Sequence, residues 1–331
     1  MIFVFDLEGP LSPMDHAAEA MRFIGKKVRK DDFFELFKML SLYDDLLVLE
    51  GKEDYNPGDT LRLIAPIVST MASEEEIRGI SETATLTPGA KDFIASLNSE
   101  DVYVASTSYQ QHAYIVAAKL GIDESHVNCT QLPDYTDFPY MNELEDVFAE
   151  YKKSGVEVVK PRLDALFWEE MDEAYLKTKV CGGSRKEAVA ERLSKEKGIP
   201  LSEFMVVGDS ITDINMLRRV AKEGGLAVSF NGNQYSVPQA NIAVSSLSLM
   251  ALRPLVDAFP QHWNFIDGWN VGRNSEDAQT ALLKPKTKEY FLKHKIKPFY
   301  DDLRSVKDFG SVIKCQKEMR SAIRKEYGDL T

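Results

Sequence analysis

Short apolar segments that alternate with helical patterns constrain the fold of this chain more than any other feature of its sequence. Four such segments are rich in β-branched and aromatic residues, as is typical of buried strands in a parallel sheet: residues 2–5, 102–105, 204–207 and 226–230. The helical patterns that follow them often end at a glycine, which suits a helix C-terminus. This repetition predicts an α/β fold, a Rossmann-like doubly wound parallel sheet with its functional site at the carboxyl ends of the strands.

Two stretches interrupt the alternation and are predicted to be insertions. Residues 13–85 carry amphipathic helical patterns between the first strand and the next core segment, which predicts a helical cap. Residues 131–177 are rich in acidic and aromatic residues and are longer than an ordinary loop. They are predicted to form a second cap element or a surface for a protein partner. The catalytic core is assigned to residues 1–12, 86–130 and 178–248.

The strand pattern ends near residue 248, so residues 249–331 are predicted to form a mostly helical C-terminal extension. From residue 280 onward this extension holds 13 Lys or Arg and 7 Asp or Glu, a balance of +6. The whole chain carries −12, which leaves −18 for the rest. The basic tail could fold back onto the acidic body or bind an acidic protein partner.

The composition argues against several classes of protein. A net charge of −12 disfavours nonspecific binding to nucleic acid. No apolar run approaches the roughly 18 to 20 residues that span a bilayer, and no signal peptide is evident, so a cytoplasmic location without membrane contact is expected. The three cysteines are far apart in sequence, which predicts neither a disulfide framework nor a zinc site.

Two carboxylates follow the first predicted strand. Asp6 comes directly after it and Glu8 two residues later, so both side chains point to the same side of an extended backbone. A carboxylate at a strand end can attack phosphorus as a nucleophile, and a second one can act as a general acid and base on the leaving oxygen. The alternative is that the pair only caps the turn that Gly9 allows.

A second pair of carboxylates follows the predicted strand at 204–207. Magnesium prefers oxygen ligands and keeps several waters, so one or two carboxylates with substrate oxygens are sufficient to bind it. Asp209 is predicted to be a direct ligand beside Asp6, and Asp213 to be a further ligand or to hold a metal-bound water. The alternative is that Asp209 caps the following helix.

Hydroxyl and basic side chains complete the candidate site. Ser106 and Thr107 follow the second predicted strand and precede a helix, whose N-terminus is a natural anion site. Lys186, at the start of another helix, is predicted to neutralise Asp6 and a bound phosphate. Arg185 is an alternative for that role.

Taken in chain order, these residues resemble the four motifs of the haloacid dehalogenase superfamily, and in particular its phosphoserine-phosphatase-like hydrolases: Asp6-x-Glu8-Gly9, Ser106, Lys186 and Gly208-Asp209-x-x-x-Asp213. The resemblance implies a Mg²⁺-dependent phosphatase that hydrolyses a small phosphorylated metabolite through an aspartyl phosphate on Asp6. It further implies that the Glu8 backbone carbonyl and Asp209 bind the metal, and that Ser106 and Lys186 bind the phosphate.

The chain departs from this pattern at Glu8, because most phosphatases of the superfamily carry the shorter Asp at that position. The long tail and the second insertion resemble an archaeal branch that is sometimes linked to energy-converting hydrogenase subunits. Specificity is expected to come from the cap, where Arg22, Lys26, Lys27 and Arg29 could meet an acidic substrate. The favoured alternative is that these residues form a solvated basic helix end.

Three other functions are consistent with parts of the sequence. An aspartyl phosphate could be passed to an acceptor other than water, as in a phosphotransferase or phosphomutase. The fold could also serve as a non-catalytic subunit of a larger assembly. Finally, Gly208-Asp209-Ser210 resembles the nucleophile block of a serine esterase, which would require a downstream histidine base.

Overall fold

The computed structural model describes residues 1–30 and 32–327, and a seven-stranded sheet runs through the core. Its spatial order is β3-β2-β1-β4-β5-β6-β7, and every pair is parallel except β6 with β7. The strands are β1 (Ile2–Phe5), β2 (Val102–Tyr109), β3 (Val127–Thr130), β4 (Phe204–Gly208), β5 (Leu226–Phe230), β6 (Ile242–Ser245) and β7 (Phe299–Asp302).

Helices cover both faces of the sheet and form the insertions. In chain order, those of the described residues are α1 (His16–Val28), α2 (Asp32–Leu49), α3 (Leu61–Met71), α4 (Glu74–Glu82), α5 (Ala90–Ala95), α6 (Gln110–Leu120), α7 (Met141–Ser154), α8 (Val156–Ala165), α9 (Ser184–Lys197), α10 (Ile214–Lys222), α11 (Arg253–Ala258), α12 (His262–Val271), α13 (Glu276–Thr280), α14 (Pro285–His294) and α15 (Gly310–Tyr327). No helix of the described residues is long and apolar enough to cross a bilayer.

The predicted fold class is confirmed. All residues of the central strands β1 and β4 are buried, as expected when helices cover both faces of a parallel sheet. Phe3 and Phe5 belong to the hydrophobic cluster on one face, whereas Ile2 and Val4 belong to the cluster on the other. Asp6 therefore follows a strand whose position is fixed from both sides.

The sheet is larger than the sequence analysis predicted. Strands β3, β6 and β7 were not predicted, and the expectation that strands end near residue 248 is wrong, because β7 pairs antiparallel with β6. β3 and β7 were missed because they lie at the two edges of the sheet. β3 is mostly half-buried and β7 contains Asp301 and Asp302, so neither shows the apolar pattern of a central strand.

The two insertions pack together above the core. Helices α1 to α4 share one hydrophobic cluster with α7 and α8, in which Leu40 and Leu63 from the first insertion and Val147 and Leu163 from the second are fully buried. Residues 131–177 thus extend the cap, since the apolar faces of α7 and α8 are covered by the first insertion. The cap stands over the carboxyl end of the sheet.

The C-terminal extension is mostly helical, as predicted, and lies against the core. Trp269 is buried, and its Nε1 donates a hydrogen bond of 3.2 Å to the carbonyl of Pro298. In α15, Val312 and Ile323 are buried and Gln316 is fully buried, with its Nε2 donating to Ser245 Oγ at 2.8 Å. This docking holds α15 beside the carboxyl ends of β5 and β6.

Candidate active site

The candidate site lies where β1 and β4 end side by side. Asp6 follows β1, and its backbone N–H donates to the carbonyl of Val207 in β4 at 2.8 Å, which places it next to Asp209. Gly9 makes this approach possible. It has a positive φ of 97°, and a Cβ atom there would lie 2.2 Å from Asp209 Oδ2. The turn after β1 therefore requires glycine.

Asp6 is almost completely buried and is held through one of its oxygens. Its Oδ1 accepts a hydrogen bond from Leu7 N at 2.8 Å and lies 2.9 Å from Lys186 Nζ, whereas no hydrogen bond from the described residues reaches Oδ2. Burial raises the pKa of Asp6 well above its usual value, and Asp213 raises it further, although Lys186 opposes the shift. Oδ2 is thus the oxygen available for chemistry.

Lys186 is fully buried between two carboxylates. Its Nζ lies 2.9 Å from Asp6 Oδ1 and 2.8 Å from Asp213 Oδ1, and it also donates to Thr212 Oγ1 at 3.3 Å. Burial alone would lower the pKa of Lys186, but the charges of Asp213 and Asp6 outweigh it and raise the pKa above its usual value. The ammonium group is therefore permanently charged. Arg185 lies elsewhere and pairs with Asp59 of the cap.

Asp213 has its oxygens occupied by the protein. Oδ1 faces Lys186, while Oδ2 accepts hydrogen bonds from the backbone N–H groups of Asp209 at 2.9 Å and Ser210 at 3.0 Å. Asp213 thereby holds the loop after β4 in place and orients Lys186. These contacts favour a positioning role over direct binding of a cation.

The residues present fit a divalent cation. Ligand oxygens of Asp6, Asp209 and Asp213 lie within 4.8 Å of one another, and all three residues are buried. Asp209 Oδ2 is buried and receives no hydrogen bond from the described residues, although Arg320 Nη2 lies 3.0 Å away as an ion pair. Carboxylate oxygens are among the ligands that Mg²⁺ prefers. Asp6 and Asp209 are the side chains available to hold it.

Glu8 is placed to carry a proton. Its Oε1 accepts hydrogen bonds from the backbone N–H of His16 at 3.0 Å and from Ser108 Oγ at 2.5 Å. Burial of the carboxyl group, with the negative charge of Asp15 added, raises the pKa of Glu8 to about 8 against the effect of these hydrogen bonds. A carboxyl group with this pKa is protonated at neutral pH and can act as a general acid.

The predicted phosphate loop differs from the sequence expectation. β2 continues to Tyr109 through a register irregularity, so Ser106 and Thr107 lie inside the strand and not after it. Ser106 is fully buried and its Oγ accepts a hydrogen bond from Ser108 N at 3.1 Å. Thr107 and Ser108 line the cavity described next, whereas Ser106 does not.

A cavity of about 290 Å³ opens over these groups, between the core and cap helices α2 and α3. Its lining is rich in carboxylates: Asp6, Glu8, Asp15, Asp44, Asp45 and Asp209. Asp44 is structural, because its Oδ1 accepts hydrogen bonds from Gly58 N at 2.8 Å and Thr60 Oγ1 at 3.3 Å. Asp45 accepts a hydrogen bond of 3.1 Å from Tyr235 of the core, which joins the cap to the core at the cavity wall.

Several sequence expectations about this cavity are corrected by the structure. The basic cap residues proposed to meet the substrate do not line it: Arg22, Lys26, Lys27 and Arg29. Its cationic lining comes from Arg320 and Arg324 of α15, which the sequence analysis did not single out. The basic balance of the C-terminal segment was the available signal, but a charge balance does not show which residues point inward. No described histidine lines the cavity, so Ser210 lacks the base that an esterase requires.

Comparison with solved structures places this architecture among known proteins. A gene product from Archaeoglobus fulgidus is similar over 99% of this chain and 98% of its own, with 26% sequence identity and a TM-score of 0.79. A phosphoserine phosphatase in its apo form covers 76% of this chain and 96% of its own, with 16% identity and a TM-score of 0.50. At that identity the second match shows a shared fold only. No curated protein matches the sequence.

A comparison with protein-family models adds a match in sequence. Residues 2–221 match a family described as haloacid dehalogenase-like hydrolase. The matched region runs from β1 to α10 and contains Asp6, Glu8, Lys186, Asp209 and Asp213.

Proposed function

Because the chain belongs to the haloacid dehalogenase-like hydrolase family, we propose that it is a Mg²⁺-dependent phosphatase that hydrolyses a small phosphomonoester through an aspartyl phosphate on Asp6. The single observation that carries this proposal is the buried arrangement of Asp6, Lys186 and Asp209 under the cavity. It combines a nucleophilic carboxylate, a fixed positive charge and a second carboxylate, Asp209, that can hold a cation in competition with Arg320. These are the groups that phosphoryl transfer needs, because its transition state spreads negative charge over oxygens.

The cation would be held by Asp6 and Asp209, and by the backbone carbonyl of Glu8 as the family resemblance implies. When bound, Mg²⁺ supplies positive charge that offsets the clustered carboxylates and the phosphate oxygens. The raised pKa values of Asp6 and Asp209, each caused first by burial, are consistent with a site that requires such a charge.

Three residues of the chain have separate roles in the proposed reaction. Asp6 Oδ2 attacks phosphorus while the bond from phosphorus to the ester oxygen breaks. Glu8 transfers its proton to that leaving oxygen, and Glu8 then accepts a proton from the water that cleaves the aspartyl phosphate. Lys186 stays bound to Asp6 Oδ1, so it holds the carboxylate in one orientation throughout.

The direct test measures inorganic phosphate released from a panel of phosphomonoesters by the purified chain, with Mg²⁺ and with excess EDTA. The proposal predicts release from at least one ester that requires Mg²⁺. A chain that hydrolyses none of them and binds no Mg²⁺ would contradict it and favour the non-catalytic subunit.

Replacing Glu8 with Gln is expected to lower kcat/KM for an alkyl phosphomonoester by about 10² to 10⁴, the usual contribution of a general acid. The pKa of Glu8 near 8 also predicts that native kcat/KM falls as pH rises above about 8, because the acid then loses its proton. Both effects are read from pH profiles of kcat/KM for native chain and Glu8→Gln.

Two controls separate acid catalysis from damage to the site. With 4-nitrophenyl phosphate, whose leaving group needs no proton, Glu8→Gln should cost far less activity. Asp15→Asn keeps a good N-cap for α1 but removes the charge that raises the pKa of Glu8, so the fall in kcat/KM should begin at lower pH. Equal losses with both substrates would rule out the acid role.

Arg320 competes with any cation at Asp209, so Arg320→Ala is expected to bind Mg²⁺ more tightly, by about tenfold. Titration calorimetry with MgCl₂ measures this without turnover. Lys317→Ala removes the same charge from an exposed position of α15 and should change the affinity little. An Arg320→Ala affinity equal to that of Lys317→Ala would show that the ion pair does not oppose the metal.

A further inference from the structure

The positive side chains that line the cavity have no role in the proposed reaction. Among the described residues that line it, Arg320 and Arg324 are the only cations, opposed to six carboxylates. Lys186 is fully buried beneath Asp6 and is not part of the lining. An anionic substrate that enters this cavity therefore meets its positive side chains on α15, outside the region that matches the family.

The fold fixes both guanidinium groups toward the cavity. Gln316, Arg320 and Arg324 are spaced four residues apart, so they lie along one face of α15. Gln316 anchors that face, because it is fully buried and hydrogen-bonds Ser245 Oγ and the backbone N–H of Gly232. Ile323 is buried next to Arg324. The orientation of the pair is thus built into the docking of α15.

The two guanidinium groups are only partly neutralised by the protein. Arg320 donates to the carbonyl of Asp209 at 3.2 Å and pairs with its carboxylate at 3.0 Å. Arg324 Nε is buried and receives no hydrogen-bond acceptor from the described residues. Repulsion from Arg320 lowers the pKa of Arg324, followed by the effect of burial. Asp209, Asp15 and Glu8 lie near enough to attract Arg324, but no described residue accepts a hydrogen bond from its buried Nε. The two adjacent guanidinium groups therefore keep a buried donor for a further anion.

We propose that Arg320 and Arg324 form a subsite for a second anionic group of the substrate. The natural substrate is then a phosphomonoester that carries a carboxylate or a second phosphate in addition to the scissile group. This proposal rests on the proposed function, because it assigns the scissile phosphate to Asp6, Lys186 and the cation. A cation held by Asp209 would compete with Arg320 for that carboxylate, which would leave the Arg320 guanidinium group free to contact the substrate.

Equilibrium binding to the Asp6→Asn chain with Mg²⁺ tests the subsite without turnover. Titration calorimetry compares glycerol 3-phosphate, which has one anionic group, with 3-phosphoglycerate and glycerol 1,3-bisphosphate, which have two. We expect at least one of the doubly anionic probes to bind about tenfold more tightly or better, as is usual for charge-assisted hydrogen bonds. Comparing 3-phosphoglycerate with glycerol 1,3-bisphosphate shows whether the subsite prefers a carboxylate or a phosphate as the second anionic group.

The same titrations on two further variants assign the effect to the subsite. Arg324→Ala in the Asp6→Asn chain should reduce the preference to near one, whereas the matched Lys317→Ala should keep it. Arg324→Lys keeps the positive charge and should retain part of the binding preference. Partial retention would show that the loss in Arg324→Ala is not caused by a folding defect. A preference that is absent from the start, or that survives Arg324→Ala, would overturn the subsite.

The measurements distinguish failure of the subsite from failure of the proposed function. Mg²⁺-dependent hydrolysis of glycerol 3-phosphate by the native chain, without any preference in binding, would overturn the subsite and leave the phosphatase in place. Conversely, a chain that hydrolyses none of the esters and binds no Mg²⁺, but still shows the Arg324-dependent preference, would support the subsite and contradict the phosphatase.

Discussion

The Asp6→Asn chain is expected to lose phosphatase activity by about 10⁴-fold or more, in line with removal of a covalent nucleophile. Asn has nearly the shape of Asp, but its amide cannot attack phosphorus at a useful rate. The fold should survive, because the substitution removes one of three clustered carboxylates whose mutual repulsion raises the pKa of Asp6. Phosphate release under saturating Mg²⁺ gives the loss, and thermal unfolding verifies the fold.

The matched control is Asp45→Asn. Asp45 lines the same cavity but is held by Tyr235 of the core and makes no contact with Lys186. Its replacement should leave most of the activity in place. If Asp6→Asn kept activity comparable to Asp45→Asn, Asp6 would not be the nucleophile.

Lys186→Met is expected to lower the free energy of unfolding by about 3 to 5 kcal/mol at neutral pH, the usual result when one partner of a buried charge group is removed. Met fits the aliphatic part of the side chain but leaves Asp6 and Asp213 facing each other without a counter-ion. Urea unfolding monitored by circular dichroism measures the change. Activity should fall as well, because Asp6 loses the group that orients it.

The pH dependence of the free energy of unfolding of Lys186→Met distinguishes the loss of a counter-ion from a packing defect. Without Lys186 the pKa of Asp6 rises further above its usual value, so the variant should recover part of its stability as pH falls and Asp6 becomes neutral. Lys195→Met, at an exposed position of the same helix, should change the stability by no more than about 0.5 kcal/mol. A Lys186→Met chain as stable as this control at neutral pH would show that the buried charges do not depend on Lys186.

The central strands and the proximity of Asp6 to Asp209 could be predicted from the sequence, because the local pattern and the fold agree there. A strand buried on both faces reads as a continuous apolar run, and β1, β4 and β5 all have one. Parallel strands end at the same edge of the sheet, so Asp6 and Asp209 could be placed together before any contact was known.

What could not be predicted depends on contacts between distant segments. β3 and β7 lie at the edges, where three of the four residues of each strand are at least partly exposed and the apolar pattern is lost. The positions of Arg320 and Arg324 follow from the docking of α15 through Gln316, a polar residue whose burial no local pattern indicates. The predicted link to energy-converting hydrogenase subunits stays a prediction.

The orientation of the Ser106 side chain also could not be predicted from the sequence. Ser106 follows an apolar run at the carboxyl end of the sheet, but its hydroxyl accepts a hydrogen bond from Ser108 N, just before a register irregularity in β2. The adjacent residues Thr107 and Ser108 line the cavity in its place. The irregularity places two extra residues in β2 opposite β3, and sequence alone does not reveal such an insertion.

The most direct test of the central claim is chemical trapping of the aspartyl phosphate. The native chain would be mixed with Mg²⁺ and a substrate identified in the panel, quenched, and reduced with sodium borohydride, which converts an acyl phosphate into an alcohol. Peptide mass spectrometry should then find homoserine at position 6, only when both Mg²⁺ and substrate were present. Substrate hydrolysis with Asp6 unmodified, or with the modification on another carboxylate, would contradict the account.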